Sequence, residues 1–254
     1  MRVSERYRQL VVPAVLVMIG AGCTAAYLQL AVPEPNPDLL TVLPFLSQQP
    51  GDYGAYLLRF GLSFALLGVL PLGAACACGC RPTHLGLRRT RRLQAPVFVF
   101  LIAVFLAAGV ISAYFPALRG FYPYSDTLVD RVVEGQWEYL VLHWLLYSCL
   151  YYLPWEFLFR GYLVFPFLAL LPESKPKDAI PPAAFAVACL QVIPSVLLHS
   201  GHPTSEIVSA VLAGVFFGYL ALYTRSIIPG LILHALVGMS LDTVIILRAT
   251  RILP

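Results

Sequence analysis

Apolar residues along this chain come in blocks of about twenty, separated by short stretches rich in proline, arginine and small polar residues. The blocks fall at about 10–31, 56–78, 95–115, 139–171, 183–198, 204–223 and 227–247. A helix rises about 1.5 Å per residue, so roughly 20 apolar residues cross a hydrocarbon core of about 30 Å. Most blocks therefore predict one membrane helix each. The 139–171 block is longer, about 33 residues, and Pro154 interrupts it. Proline removes a backbone donor and crowds the preceding turn, so this block predicts one long bent helix or a span followed by a shorter embedded one. The fold class expected is all-α, a polytopic transmembrane helical bundle of seven or eight membrane-embedded helices. Eight is preferred because it brings Arg248 and Arg251 to the cytoplasm.

The intervening stretches add detail. Residues 116–138 mix Asp126, Asp130, Arg131, Glu134 and Glu138 with many aromatics and predict an outer connection carrying a short surface helix that ends at Trp137. Residues 172–182 read as a polar turn. Pro203 with Thr204 or Ser205 predicts a helix start, with Glu206 in the first turn where a carboxylate meets the positive helix end. Ala210, Gly214 and Gly218 form a small-xxx-small stripe suited to close helix packing.

Composition confirms the class. With 59% hydrophobic and 12% charged residues over 254 positions, and a mean hydropathy of +0.78, the chain lies well outside soluble usage, where about a quarter of residues are charged. Residues 1–254 read as a single membrane domain. The net charge of +4 comes from fifteen arginines and two lysines gathered at block ends, which speaks to orientation against membrane lipids and not to nucleic acid. Arg2, Arg6 and Arg8 precede the first block, residues 33–53 carry Glu34, Asp38 and Asp52 with no basic residue, and five arginines crowd 81–92. The charge rule therefore predicts a cytoplasmic N-terminus, an external 33–53 loop and a cytoplasmic 81–92 loop. Scarce lysine reads as a GC-rich bacterial gene, hence the bacterial inner membrane.

Six cysteines make no disulfide framework here. Cys23, Cys149 and Cys189 sit in apolar blocks as small hydrophobes. Cys76, Cys78 and Cys80 could bind metal or carry lipid, but no second cluster of ligands lies nearby. A lipoprotein signal around Cys23 would want leucine where Gly20 stands, so the first block is expected to be an uncleaved span.

Ionisable residues inside the blocks are the functional candidates, because each is costly in a bilayer and needs a partner or a cavity. Glu156 and Arg160 are four apart and share a helix face; they form either a structural ion pair or part of a site. His199 ends one block and His234 lies inside the last, which also carries Gly238 and Asp242 at further steps of four. Glu156 could be a general base toward water, with the histidines sharing that water or steadying an oxyanion. The same set could ligate a divalent metal such as zinc, though no HExxH is present and no cofactor is expected. Arg160 could orient Glu156 or bind a peptide carboxylate, and Glu206 could cap its helix or close the site.

Glu156-x-x-x-Arg160-Gly161, then His199 with a Pro203-x-x-Glu206 turn, then Thr224-x-Ser226-Ile227 and His234, resembles the CAAX prenyl protease and bacteriocin-processing (CPBP, or Abi) family of intramembrane endopeptidases. The resemblance spans about 139–247, taken as a protease-like core. It implies hydrolysis of membrane or lipid-associated peptides by water that a glutamate and histidines activate, so a peptide or membrane-protein partner is expected. Glu156, His199 and His234 would be catalytic, supported by Arg160, Glu206 and Asp242. Two positions depart from the pattern. The first of the family's paired glutamates, to which water activation is assigned, is Trp155, and the asparagine or aspartate four residues after the last histidine is Gly238. Asp242, one turn on, could substitute for the latter. The competing readings are a catalytically silent relative that regulates a membrane partner, and a small-solute transporter, for which the chain lacks repeated halves.

Overall fold

The computed structural model describes residues 3–90, 92–168, 170–171 and 180–253, with side chains from residue 11 onward. The basic N-terminal side chains, Arg91, and most of the 172–182 turn lie outside the described residues. Seven long helices organise the rest: α1 (Val3–Ala31), α2 (Tyr53–Ala77), α3 (Ala95–Ser112), α4 (138–162), α5 (Pro182–Leu197), α6 (Thr204–Thr224) and α7 (Ile228–Ala249). No strand occurs among the described residues.

Five of these helices are long and apolar enough to cross a membrane: α1 from Val11, α2, α3, α6 and α7. The expected count of seven or eight is thus not reached on length and composition. Helix α5 is shorter, and α4 carries the charged pair and a run of tyrosines.

Helix α4 resolves the ambiguity at Pro154. The chain stays helical from Glu138 to Tyr162, with π-helical stretches at Tyr147–Tyr152 and Phe157–Tyr162 on either side of the proline. A wider i→i+5 turn makes room where the proline ring would otherwise strike the preceding carbonyl. The block is thus one continuous bent helix, followed by the short Phe165–Leu168 helix. Consequently Arg248 does not come to the side of the 81–92 loop, as the eight-element expectation required. Its guanidinium lies 4.8 Å from the ring centroid of Tyr114, past the far end of α3.

The connections gather at two ends. At one, the 81–94 loop meets the α6–α7 turn: the Ile227 amide donates to the Gly86 carbonyl at 3.0 Å, and Arg88 Nε donates to the Arg225 carbonyl at 2.7 Å. At the other, Asp52 accepts from the Ser125 hydroxyl and from the amides of Asp126 and Thr127 at 2.7–3.1 Å, tying the 33–53 loop to the Asp126–Val133 helix. That surface helix was expected to run to Trp137. It stops at Val133 because Gly135 turns the backbone into the left-handed region at φ 90°.

Small residues set the packing distances. A Cβ at Gly109 would lie 2.2 Å from the Val237 carbonyl oxygen, so α3 and α7 approach almost backbone to backbone. The α6 stripe works as the sequence predicts: Gly214 faces Val192, and Gly218 faces the Ala188 carbonyl of α5. Between α2, α4 and the outer connection lies an aromatic core of Tyr27, Tyr56, Phe60, Tyr147 and Tyr151. Arg59 is buried beside it, 4.1 Å from the Tyr124 ring centroid and donating to the Pro33 carbonyl.

Candidate active site

Helices α4 and α7 run side by side, and Glu156, Tyr152 and His143 of α4 stand opposite His234, Gly238 and Asp242 of α7. Glu156 is fully buried, and its Oε1 stands 2.7 Å from His234 Nδ1 and 3.4 Å from Arg160 Nη1. An ionised carboxylate only accepts, so Nδ1 carries the proton and, in the neutral ring, Nε2 keeps its lone pair. Gly230 makes room for this carboxylate: a Cβ there would sit 3.3 Å from Glu156 Oε2. The Arg160 guanidinium is buried between Glu156 and the rings of Phe159 and Phe217, at 5.9 and 5.7 Å from their centroids. These contacts and the Glu156 charge offset its desolvation.

The side chain of His234 is 24% exposed, and it opens onto a cavity of about 400 Å³ enclosed by α3, α4, α6 and α7. His199, Glu206, Tyr122 and Tyr152 line the same cavity. Three of the expected residues, His199, His234 and Glu206, therefore share one space. Glu156 does not line it and reaches it through His234.

His199 lies in the turn after α5, and its Nδ1 donates to the Ser195 carbonyl at 2.9 Å. Burial pushes its imidazole down to about 4, so the ring is neutral at neutral pH and Nε2 is again the free acceptor. A neutral His199 in this tautomer has no Nε2 proton to give an oxyanion, although it can hold a water's hydrogen.

Glu206 neither caps α6 nor stands alone. Its Oε1 accepts from the Tyr122 hydroxyl and from His202 Nδ1, the latter at 2.9 Å, and Glu206 and Tyr122 line the cavity where it reaches the outer connection. Its Oε2 is buried with no hydrogen-bond partner.

The two departures from the family pattern are both filled by aromatic side chains. Trp155 packs edge-on against His199, centroids 5.3 Å apart, and also against Phe159. At Gly238 a Cβ would fall 1.7 Å from the Tyr152 hydroxyl oxygen. That hydroxyl therefore sits where the family's amide or carboxyl side chain would begin, and the Tyr152 ring lies 4.7 Å from that of His234.

Asp242 takes no part in this cluster. It is wholly buried and accepts from His143 Nε2 at 3.0 Å, while the Tyr56 hydroxyl donates to His143 Nδ1 at 2.8 Å. One turn beyond Gly238, it faces the upper part of α4. Sequence reading passed over His143, Tyr152, Tyr122 and His202. His143 carried a signal, being a histidine inside an apolar block like His234, but its partners are 87 and 99 residues away.

Each carboxylate of the bundle meets a single histidine, Glu156 with His234, Glu206 with His202 and Asp242 with His143, and among the described residues no three His, Cys, Asp or Glu side chains group as ligands for one metal ion. This donor set does not fit a metal.

Residues 137–240 match the family model described as Type II CAAX prenyl endopeptidase Rce1-like. The matched stretch contains Glu156, Arg160, His199, Glu206, His234 and Gly238, and stops short of Asp242. No curated protein and no solved structure matched the chain.

Proposed function

Taking that match to a membrane endopeptidase family as premise, we propose that the protein hydrolyses peptide bonds in membrane-inserted or lipid-associated peptides. The observation that carries the reading is the 2.7 Å contact between buried Glu156 and His234, whose ring faces the cavity shared with His199.

Glu156 fixes the His234 tautomer, so Nε2 is the base offered to a water in the cavity. His199 Nε2 accepts the water's other hydrogen and aims its oxygen. As that oxygen bonds to the substrate carbonyl carbon, one proton passes to His234 Nε2. Glu156 steadies the imidazolium, and the Tyr152 hydroxyl donates to the oxyanion. The tetrahedral intermediate then collapses: the C–N bond breaks, and the proton on His234 moves to the departing amine. Arg160 holds Glu156 ionised through this cycle, a positioning role. In this scheme Glu156 acts through His234 and not directly on water. We further read α4 and α5 as two more membrane-embedded helices beside the five, giving seven passages and a C-terminus on the side opposite the 81–92 loop.

The test is cleavage of a membrane-peptide library by reconstituted protein. Glu156→Gln and His234→Ala should each lose roughly 10²-fold or more in rate, while His199→Ala loses water alignment. Undiminished cleavage by Glu156→Gln would remove Glu156 from the mechanism. No cleavage by the unaltered protein, with activity appearing in Trp155→Glu, would mark a lapsed protease that keeps the scaffold.

A further inference from the structure

The cavity is sealed toward one end of the bundle and open toward the other. Near the end carrying the 81–94 loop, α3 and α6 are packed together. Phe105 lies 5.6 Å from Phe216 and 5.5 Å from Phe217, centroid to centroid, with Phe98, Leu101 and Leu220 in the same cluster. Past Phe105 the two helices part. Ala108 and Ser112 of α3 and Ser205 and Ser209 of α6 line the cavity from its two sides. Of the residues lining the cavity, Val104 and Ala108 of α3 and Ser205 and Ser209 of α6 are also exposed on the surface of the bundle, so the opening is lateral, toward lipid. His234, six residues from Ile228, lies about 9 Å up α7 from the sealed end, and the cavity extends from it to Leu118 and Tyr122 in the outer connection.

The two ends differ in charge. The 81–94 loop and the α6–α7 turn contain Arg81, Arg88, Arg89, Arg92 and Arg225 and no carboxylate. The 33–53 and 113–137 connections at the other end hold Glu34, Asp38, Asp52, Asp126, Asp130 and Glu134 against Arg119 and Arg131, with Arg248 and Arg251 at the end of α7. Loops rich in arginine stay in the cytoplasm, so the sealed end is the cytoplasmic one.

We propose that the cavity receives its peptide from the side of the membrane opposite the cytoplasm, sideways between α3 and α6. The substrate is then a segment already carried across the membrane and still held in or at the outer leaflet, and a translocation reaction must precede this one. The substrate claim rests on the peptidase reading above; the sidedness of the cavity stands apart from it.

The experiment reads sidedness without using activity. Ser112→Cys and Ser209→Cys are made singly in the full chain, in vesicles of known orientation, and treated with a charged, membrane-impermeant maleimide. Modification is mapped residue by residue by mass spectrometry. Exposed Cys76, at the sealed end, is the built-in reference. The expected result is modification of residues 112 and 209 in right-side-out vesicles only and of Cys76 in inside-out vesicles only. Modification of either new cysteine from the same face as Cys76 would overturn the proposal. So would silence from both faces when a membrane-permeant maleimide reacts. A protein that cleaves no peptide yet labels as expected would sink the peptidase reading while leaving the sidedness intact.

Discussion

Gly238 offers a test in which two well-known effects predict opposite signs. In a helix interior, replacing glycine by alanine stabilises by about 1 kcal/mol through backbone entropy. At this position the new Cβ would lie 1.7 Å from the Tyr152 hydroxyl oxygen and 2.7 Å from the adjoining ring carbon. Both distances are far inside van der Waals contact, and rotation of the hydroxyl hydrogen relieves neither. The ring must swing away, yet it is only 5% exposed and packs on Tyr147, His234 and Tyr151. Overpacking of this kind costs about 1–3 kcal/mol, so Gly238→Ala should destabilise despite its better propensity. In a Tyr152→Ala background the obstacle is gone, and the same substitution should become neutral or stabilising by up to about 1 kcal/mol. Together these make a coupling of about 2 kcal/mol, within the range measured for contacting residues. Unfolding of the four proteins in one mixed-micelle system reads the cycle. Equal effects of Gly238→Ala in both backgrounds, or a gain in the native one, would refute the assignment of Tyr152 to the space over Gly238.

The remaining structural predictions concern sites away from the cavity. For Asp52, burial alone would raise the carboxyl, but the hydrogen bonds from Thr127, Ser125 and Asp126 outweigh it and hold the group below its ordinary value. A depressed folded pKa contributes stability that is complete above about pH 4 and is lost as pH falls below it. Asp52→Asn should therefore cost about 1 kcal/mol at neutral pH and little in acid, read as hydrogen exchange in residues 116–137; equal exchange at pH 7 in the two proteins would count against the clasp. For the wholly buried Asp242–His143 pair, Asp242→Leu should cost about 3–5 kcal/mol by stranding its partner, and Asp242→Leu with His143→Leu should recover most of it. Peptidase rate per folded molecule should stay unchanged in the double variant; a catalytic loss there would return Asp242 to the site.

Much of this was legible in the chain because membrane helices announce themselves by block length, and because steps of four keep a helix face. Those two rules placed α1, α2, α3, α6 and α7 within a few residues and put Glu156 above Arg160. They also brought His234, Gly238 and Asp242 onto one stripe of α7. What they could not supply was the azimuth of one helix against another. Asp242 looked like a substitute for the residue missing at 238, but α4 presents His143 to it and Tyr152 to Gly238. Which neighbour a buried carboxylate meets is decided by packing between segments about a hundred residues apart. The passage through Pro154 was equally hidden, since a π turn is a response of the backbone to crowding and has no composition of its own. Arg59, lying in an apolar block, was passed over for a similar reason: its partners are a carbonyl at Pro33 and a ring at Tyr124, which no spacing rule links to it.

The packing of Phe105 against Phe216 and Phe217 has a consequence for the membrane as well as for the substrate. The proposed hydrolysis needs water, and water filling the cavity down to His234 from the outer side proposed above would bring the potential of that solution deep into the bilayer. The voltage that normally falls across about 30 Å of hydrocarbon would then fall across the layer between His234 and the arginine loop. Each elementary charge crossing that layer is worth about 2.3 kcal/mol per 100 mV, so a wet path through it would let protons run down their gradient. On the proposed function, the three rings, with the neutralised Glu156–Arg160 pair behind them, would act as electrical insulation, letting chemistry that consumes water proceed inside a membrane that must still hold its charge.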